Sequence, residues 1–218
     1  YALAFQDAAG SEPTADLGPE VLRLTDMLAE LLPDDPEVLG LAALVQFAEA
    51  RRAARVDGDG RMIPLSEQDC TLWDDRLIGS AARLMRSAAA IGRSGPYQLM
   101  AAIHLTHARR KAEARTDWAA ILKLYDLLSL LRPGPVTAIN RAVALSKVEG
   151  AEAGLIALEM LGGDKLAGYR PWHAARAHLL ARRGDPEGAA AAYRRALALN
   201  PARAERLFLE AKLRETSA

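Results

Sequence analysis

YRRALALNP, residues 193–201, ends one helical pattern of this chain and has a counterpart, YDLLSLLRP, at residues 125–133. Tyr, Leu and Pro coincide at the first, seventh and ninth positions, and the two stretches lie 193 − 125 = 68 residues apart. Small residues recur at half that distance: Gly150 precedes Gly184 by 184 − 150 = 34 residues, and Gly154 precedes Gly188 by the same interval. A fixed period of this length predicts repeated pairs of helices.

The period and the ending of each unit resemble those of the tetratricopeptide repeat. The block from Trp172 to Pro201 resembles one such repeat on its own, with Gly184-Asp185 at the turn between its two helices. We therefore expect an all-α fold of antiparallel helix pairs, stacked as a right-handed solenoid similar to tetratricopeptide domains. The expected organisation is an N-terminal helical subdomain at 1–95, then three degenerate repeats and a capping helix at 96–218, with the repeats at about 97–133, 135–167 and 170–203.

Most other segments also carry helical spacing. Apolar residues at i, i+3, i+4 and i+7 predict a helix over 21–32, and Asp35-Pro36 begins another that runs to about residue 56. A capping signal at 66–69 predicts a helix from there to about Ile91. Residues 121–131 are apolar almost all round, which predicts a helix packed on several sides. Further helices are expected at about 95–111, 117–131, 135–148, 151–161, 171–183, 185–199 and 202–215.

Composition and charge disfavour several classes of protein. The 218 residues carry 28 Lys and Arg against 28 Asp and Glu, and this zero net charge disfavours a free-standing nucleic-acid binder. No run reaches the roughly 18 to 20 apolar residues that a membrane helix needs. The single Cys70 excludes a disulfide framework and a cysteine zinc site. Because the chain starts at Tyr1 without a signal peptide, we expect an excised fragment of a cytoplasmic protein.

An ordered set of motifs makes the interpretation more specific. The motifs are EVLGLAAL (37–44), ARRAAR (50–55), DGDG (57–60), LSEQD (65–69), WD (73–74), YQLMAAI (97–103), TDW (116–118), NRAVA (140–144) and GAEAGL (150–155). In this order, over residues 1–216, they resemble the C-terminal extension of a group of extracytoplasmic-function RNA polymerase sigma factors that carry tetratricopeptide repeats. The chain departs from that family before Trp73, where Cys70-Thr71-Leu72 stands in place of an Arg-Ser pair and one variable residue.

The resemblance implies a non-catalytic regulatory module of a bacterial sigma factor. Its partner would be a protein: the sigma modules of the same factor, core RNA polymerase or a regulator. Neither direct contact with nucleic acid nor contact with a membrane is expected. Two alternatives stay open, namely a free-standing adaptor that binds peptides and a helical domain that senses a small molecule.

The first candidate surface surrounds the LSEQD and WD motifs. On a helix, Asp69 and Trp73 are spaced i, i+4 and would face the same way, as a docking or ligand surface. The alternative is structural: an acid that caps a helix N-terminus and a Trp that packs over the preceding loop. The other members of this surface are Arg52, Arg55, Asp57 and Gln68.

The second candidate surface lies in the repeats. Asn140 and Arg141 resemble the Asn-Arg-Ala of tetratricopeptide domains that clamp a peptide's C-terminal carboxylate, and His178 and Arg182 would extend a basic groove together with Lys147. The alternative is an Asn that bonds across to a neighbouring helix and an Arg on the outer face.

Metal, cofactor and catalytic signatures are not expected. The DGDG stretch resembles a calcium loop. However, Arg61 and Gln68 stand where the loop needs ligands of the ion, and Met62 stands where it needs a turn glycine. His104 and His107 could form an i, i+3 metal pair, yet no third ligand is indicated. We therefore expect neither an enzyme nor a bound cofactor, and a structural role for Cys70.

Overall fold

The computed structural model describes residues 18–162 and 165–216, which form helices joined by turns. No strand occurs in these ranges, and Val56 and Met62 form one isolated antiparallel bridge. The predicted all-α class is therefore confirmed for this part of the chain. The helices are α1 (Gly18–Leu31), α2 (Pro36–Ala50), α3 (Asp75–Ala90), α4 (Pro96–Ala108), α5 (Arg110–Glu113), α6 (Trp118–Leu131), α7 (Pro135–Val148), α8 (Ala151–Glu159), α9 (Arg170–Arg183), α10 (Pro186–Leu197) and α11 (Arg203–Thr216).

Aspartate caps begin several of these helices. The carboxylate of Asp35 accepts the N–H groups of Glu37 and Val38 at the start of α2, and Asp74 does the same for the first turn of α3. Asp117 caps α6 and Asp185 caps α10, and these two residues lie 185 − 117 = 68 residues apart. A capping carboxylate satisfies backbone donors that have no partner within the helix. The 68-residue interval of the sequence repeat therefore also separates two capping aspartates of the structure.

The described residues fall into two compact units. The N-terminal unit contains 18–54 and 69–132, and the C-terminal unit contains 55–68 and the residues from 133 onward. The N-terminal unit therefore includes helices from both sides of the predicted boundary at 95. Each unit is built from segments that are distant in the chain.

Helix α2 is the centre of the N-terminal unit and packs against α1, α3 and α4. It buries Phe47 and Ala43 against Ala81 of α3 and Ala101 of α4. Gly40 allows the close approach of α4, because a Cβ there would lie 2.7 Å from the backbone nitrogen of Gln98. Helix α6 packs on α4.

In the C-terminal unit, each helix from α7 to α11 packs on the next. Their shared core includes Ile139, Leu158 and Leu179, all fully buried. The segment 55–68 belongs to this unit because Met62 enters the same core and donates its N–H to the carbonyl of Ala204 at 3.1 Å. The separation of these two residues in the sequence gives no indication of this contact.

The predicted helix from the 66–69 signal to Ile91 is wrong at its start. Two short 3₁₀ turns, Leu65–Glu67 and Cys70–Leu72, precede α3, which begins only at Asp75. Gln68 between them is extended, with φ −63 and ψ 140, and its side-chain amide donates to the carbonyl of Ile63 at 3.2 Å. This bond spans five residues and competes with the helix signal. Asp69 and Trp73 therefore do not share a helix face.

The expectation that α6 packs on several sides is also wrong. The helix buries Ile121, Tyr125 and Leu128 on one face. Leu127 and Leu130 on another face are 51% and 80% exposed. Although the sequence of α6 is apolar on almost every side, the helix is buried on one face only.

Candidate functional site

Three predicted site residues belong to the N-terminal unit, and each is engaged locally. Arg52 donates its Nε to the carboxylate of Glu49 at 2.6 Å, one turn away. Asp69 accepts the hydroxyl and the N–H of Thr71 at 2.7 and 2.8 Å, and these bonds, the hydroxyl first, lower the pKa of Asp69. Trp73 is only 3% exposed, so its ring is a core residue of this unit.

Trp73 is part of a cluster that the sequence did not indicate. The guanidinium carbon of Arg110 lies 5.3 Å from the centre of the Trp73 ring, a cation–π distance. Arg110 also donates its Nε and Nη2 to the sulfur of Cys70 at 3.3 and 3.2 Å. Forty residues separate Arg110 from Cys70, and only the packing of α5 beside the 3₁₀ turn joins them. This arrangement accounts for the structural role expected of Cys70.

Asp57 organises the turn that the DGDG motif forms. Its Oδ1 accepts the N–H groups of Asp59 and Arg61 at 3.0 and 2.9 Å, and its Oδ2 accepts the Nε of Arg61 at 2.8 Å. The backbone bond from Arg61 is the main reason that the pKa of Asp57 is lowered. In residues 18–162 and 165–216, no group of three or more His, Cys, Asp and Glu side chains is placed to hold a metal ion.

Arg55 and Gln68 lie at the two ends of the 55–68 segment of the C-terminal unit, and both bond to Ile63 within it. The carbonyl of Arg55 accepts the N–H of Ile63 at 2.8 Å, and Gln68 bonds to the carbonyl of that residue. Gln68 is 5% exposed. Both residues therefore shape the 55–68 segment, and their role in binding a partner stays a prediction.

Asn140 and Arg141 differ in their surroundings although they are adjacent on α7. Asn140 is 3% exposed and lies within the core of the C-terminal unit, whereas Arg141 is half-buried. The structure therefore places the Asn of the predicted clamp inside the protein and not on an open surface. This position agrees with the structural alternative for Asn140.

The structure brings His178 and Arg182 together with Lys147. Arg182 on α9 donates its Nη1 to the hydroxyl and the carbonyl of Ser146 at 3.1 and 3.3 Å, and Ser146 precedes Lys147 on α7. Burial, followed by the charges of Lys147, Arg182 and Lys212, lowers the pKa of His178 to about 3. Burial and the nearby charge of Arg182 also lower the pKa of Lys147. We call Lys147, His178, Arg182 and Lys212 the basic cluster.

One acidic residue of the 55–68 segment is near enough for its charge to act on the basic cluster. The charge of Glu67 acts on Lys147 in the direction that raises its pKa. The charges of Glu67 and Glu215, after burial, also raise the pKa of Tyr193, whose side chain lies in the core. No spacing in the sequence relates Glu67 and Lys212 to α7 and α9, so their proximity to these helices was not predicted.

The two histidines of α4 are core residues. His107 is 8% exposed, and its ring meets that of Trp118 edge to face at 5.3 Å. The Nδ1 of His104 lies 3.2 Å from the Nη2 of Arg51. Burial, followed by the charges of Arg51 and Arg110, lowers the pKa of His107 to about 3.

Helix α1 presents an apolar face to solvent. Val21, Leu24, Met27 and Leu31 are 40%, 53%, 49% and 73% exposed, and their spacing of 3, 3 and 4 residues places them on one side of the helix. No residue of α1 is buried. An exposed apolar face of this kind is typical of a surface that binds another protein.

Comparisons with known proteins show what this chain is similar to. Residues 1–89 match a family of unknown function (DUF6596). R00370, an uncharacterized protein of Rhizobium meliloti (strain 1021), is 40% identical over 200 residues, which cover 92% of this chain and 47% of that protein. The chain thus spans about half the length of this relative. No solved structure matches the chain.

No helix within 18–162 and 165–216 combines the length and the apolar character needed to cross a membrane.

Proposed function

We propose that this chain is a non-catalytic, protein-binding regulatory module of a bacterial sigma factor. It would modulate transcription initiation by contacting the sigma modules of the same factor, core RNA polymerase or a regulatory partner. The ordered motif set that resembles the C-terminal extension of such factors supports this function. The site of action would then be the cytoplasm, where transcription takes place.

The observation that carries the proposal is the apolar face of α1. Leu24 and Leu31 are more than half exposed, although burying such side chains is worth about 1.5 to 3 kcal/mol each. A partner that covers this face would gain part of that free energy, because both side chains are already partly covered. Regulation would arise if the sigma modules or the polymerase bind one arrangement of the factor better than another, which shifts the population between docked and free states.

We further infer that the C-terminal unit is a stack of helix pairs similar to tetratricopeptide repeats. Helices α7 and α8 would form one pair, α9 and α10 the next, and α11 the cap. Successive packing from α7 to α11 and the close contact that Gly154 allows between α8 and α7 support this arrangement. Such stacks present an extended surface for protein segments.

A capture experiment tests the function. The tagged chain would be offered core RNA polymerase and, separately, the sigma modules of its full-length protein at physiological salt. We expect one of them to be retained, and Leu24→Asp to weaken retention by placing a charge in the apolar contact. Met160→Asp is the matched control, because Met160 is 81% exposed and lies in the other unit.

Capture of neither protein would exclude the sigma modules and core polymerase as partners and leave only a separate regulatory protein. If retention is equally strong for Leu24→Asp and Met160→Asp, α1 is not the contact face. A transcription assay adds a second readout: a full-length factor and one that lacks this module should differ in promoter-dependent transcription, and equal transcription would contradict a regulatory role.

A further inference from the structure

A pocket opens between α3 and α4 of the N-terminal unit. Its volume is about 470 Å³, which lies within the range of roughly 300 to 1,000 Å³ that pockets for small molecules have. Residues of these two helices and the residue that follows α4 line it: Ala82, Met85, Arg86, Ala89, Leu105 and Arg109. None of the residues of the two predicted surfaces is among them.

The base of this pocket is apolar. Its four α3 residues occupy positions i, i+3, i+4 and i+7, which share one face of a helix. Met85 on that face and Leu105 on α4 are half-buried and pack against the core that contains Phe47. An apolar group in the pocket would therefore contact side chains that already belong to a hydrophobic core, and it would lose contact with water on that side.

Two arginines border the apolar base. Arg86 of α3 and Arg109 after α4 are both exposed, and within the described residues neither guanidinium forms a hydrogen bond or an ion pair. A guanidinium offers several N–H donors in one plane and binds carboxylate or sulfonate groups through charge-assisted hydrogen bonds. The pocket thus combines an apolar base with two anion-binding groups that come from separate helices.

The chain around the pocket carries an excess of positive charge. Residues 76–112, which contain most of α3 and all of α4, include six Arg and one Lys but no Asp or Glu. Asp75, directly before them, accepts the Nζ of Lys111 at 2.6 Å. The two acids of α2 are engaged as well: Glu37 accepts N–H groups at the start of α4, and Glu49 accepts the Nε of an arginine. This charge distribution favours an anionic ligand.

We propose that the pocket binds a small amphipathic anion, a molecule with an apolar body and one carboxylate or sulfonate head. The apolar body lies on Met85 and Leu105, and the head pairs with Arg86 and Arg109. This inference goes beyond the proposed function and does not depend on it, because the test needs neither the sigma modules nor the polymerase.

Nuclear magnetic resonance of methionine methyl groups locates the binding site. The whole chain, labelled with ¹³C at the methyl groups of its five Met residues, would be titrated with octanoate below the concentration at which micelles form. We expect a saturable shift of the Met85 signal, assigned with Met85→Leu. The signals of Met27, on the apolar face of α1, and of the exposed Met160 should stay in place. A shift of Met27 without one of Met85 would overturn the proposal.

Two further ligands separate the contributions of the head and the apolar body. 1-Octanol keeps the chain of octanoate but lacks its charge, and acetate keeps the charge but lacks most of the chain. We expect octanoate to bind about fivefold or more tightly than either, because only octanoate uses both the apolar base and the guanidiniums. Equal affinity of octanoate and 1-octanol, or of octanoate and acetate, would overturn the proposal.

Variants test the arginines directly. Arg86→Gln and Arg109→Gln should each weaken octanoate binding about threefold or more. Arg83→Gln is the matched control, because Arg83 is an exposed arginine of the same helix that does not line the pocket. Equal losses in Arg83→Gln and Arg86→Gln would refute a specific site and leave only a general effect of charge.

Filling the pocket is an independent test. Ala89→Phe places a large side chain at an exposed position of the lining and should abolish octanoate binding. Thermal melts followed by circular dichroism identify any variant that fails to fold, and the exposed arginine variants decide the question if Ala89→Phe does. Undiminished binding by a folded Ala89→Phe would overturn the proposal. Binding to phosphatidylglycerol vesicles that needs Arg86, without binding of free octanoate, would do so too and would indicate a membrane surface instead.

Discussion

Arg170 and Glu205 form a buried ion pair that joins the start of α9 to α11. The Nε of Arg170 donates to the Oε1 of Glu205 at 2.7 Å, and the side chain of Glu205 is 0% exposed. The other oxygen, Oε2, is buried and accepts no hydrogen bond from the described residues. Burial raises the pKa of Glu205 although Arg170 acts to lower it.

Removing Arg170 should destabilise the protein strongly. Arg170→Met leaves a buried carboxylate without its cation, and we expect the free energy of unfolding to fall by about 3–5 kcal/mol in urea denaturation. Arg176→Met is the control: Arg176 pairs with Glu159 at 2.6 Å, but both side chains are about one-third exposed or more, so the loss should be about 1 kcal/mol or less. Equal losses in the two variants would show that the Arg170–Glu205 pair contributes no more to stability than the exposed Arg176–Glu159 pair. Adding Glu205→Gln to Arg170→Met should recover part of the loss.

Gly154 should not tolerate a methyl group. A Cβ at this position would lie 2.4 Å from the Cβ of Ser146 and 2.7 Å from the carbonyl oxygen of Ala142, so α8 would have to move away from α7. We expect Gly154→Ala to lower the free energy of unfolding by about 1–3 kcal/mol.

Gly79→Ala provides the comparison for Gly154. Gly79 also lies within a helix, α3, but its Cβ would meet only the Nη1 of Arg83 at 3.8 Å. The higher helix propensity of Ala should then stabilise this variant by about 0.5–1 kcal/mol. Chemical denaturation measures both variants. If the free energy of unfolding changes in the same direction at both positions, the packing argument is contradicted.

Glu37 should stabilise the start of α4 from a distance in sequence. Its two carboxylate oxygens accept the N–H groups of Tyr97 and Gln98 at 2.9 and 3.1 Å, and the N-cap residue, Gly95, offers no side-chain acceptor. We expect Glu37→Ala to cost about 1–2 kcal/mol, with a smaller loss for Glu37→Gln, which keeps one acceptor.

The control for Glu37 is Glu30→Ala, at an exposed position of α1. It should change the thermal midpoint little. If hydrogen exchange at the Tyr97 amide is as slow in Glu37→Ala as in the wild type, the capping role is wrong.

His107 should make the protein less stable as the solution becomes acidic. Its pKa in the folded state is about 3, below the ordinary value of 6.5, so the unfolded chain binds a proton first as the pH falls. The contribution is complete above pH 6.5 and is lost progressively toward pH 3. For this group alone the loss between pH 7 and pH 5 is about 2 kcal/mol.

Urea denaturation at several pH values measures this effect. His107→Gln, which cannot gain a proton in this range, should show a shallower decrease in stability between pH 7 and pH 5 than the wild type. Parallel pH profiles of the two proteins would contradict the assignment of the loss to His107.

Helix positions were predictable where local signals and burial agree. The predicted helix over 135–148 matches α7 at both ends. The one at 117–131 differs from α6 by one residue at its start, and the one at 202–215 differs from α11 by one residue at each end. A proline in the first turn or a capping Asp marks most of these starts, and such signals act over a few residues.

Two predictions failed where contacts in the folded chain overrode the helical pattern of the sequence. The 66–69 capping signal is a normal one, yet the anchoring of Gln68 on Ile63 holds these residues in turns and delays α3 to Asp75. The apolar pattern of α6 predicted burial on several sides, but its neighbour α4 covers one face only. Local propensity is weaker than tertiary packing when the two disagree.

The sequence by itself determined the all-α class, most helix positions and the recurrence over 68 residues, because caps, turns and helical spacing act between residues close in the chain. Only the tertiary structure decided which charges meet. It placed Asn140 in the core, brought Glu67 near enough for its charge to act on Lys147, and joined Arg110 to Cys70. Electrostatic and packing energies depend on distances across the fold, and the order of residues along the chain does not encode those distances.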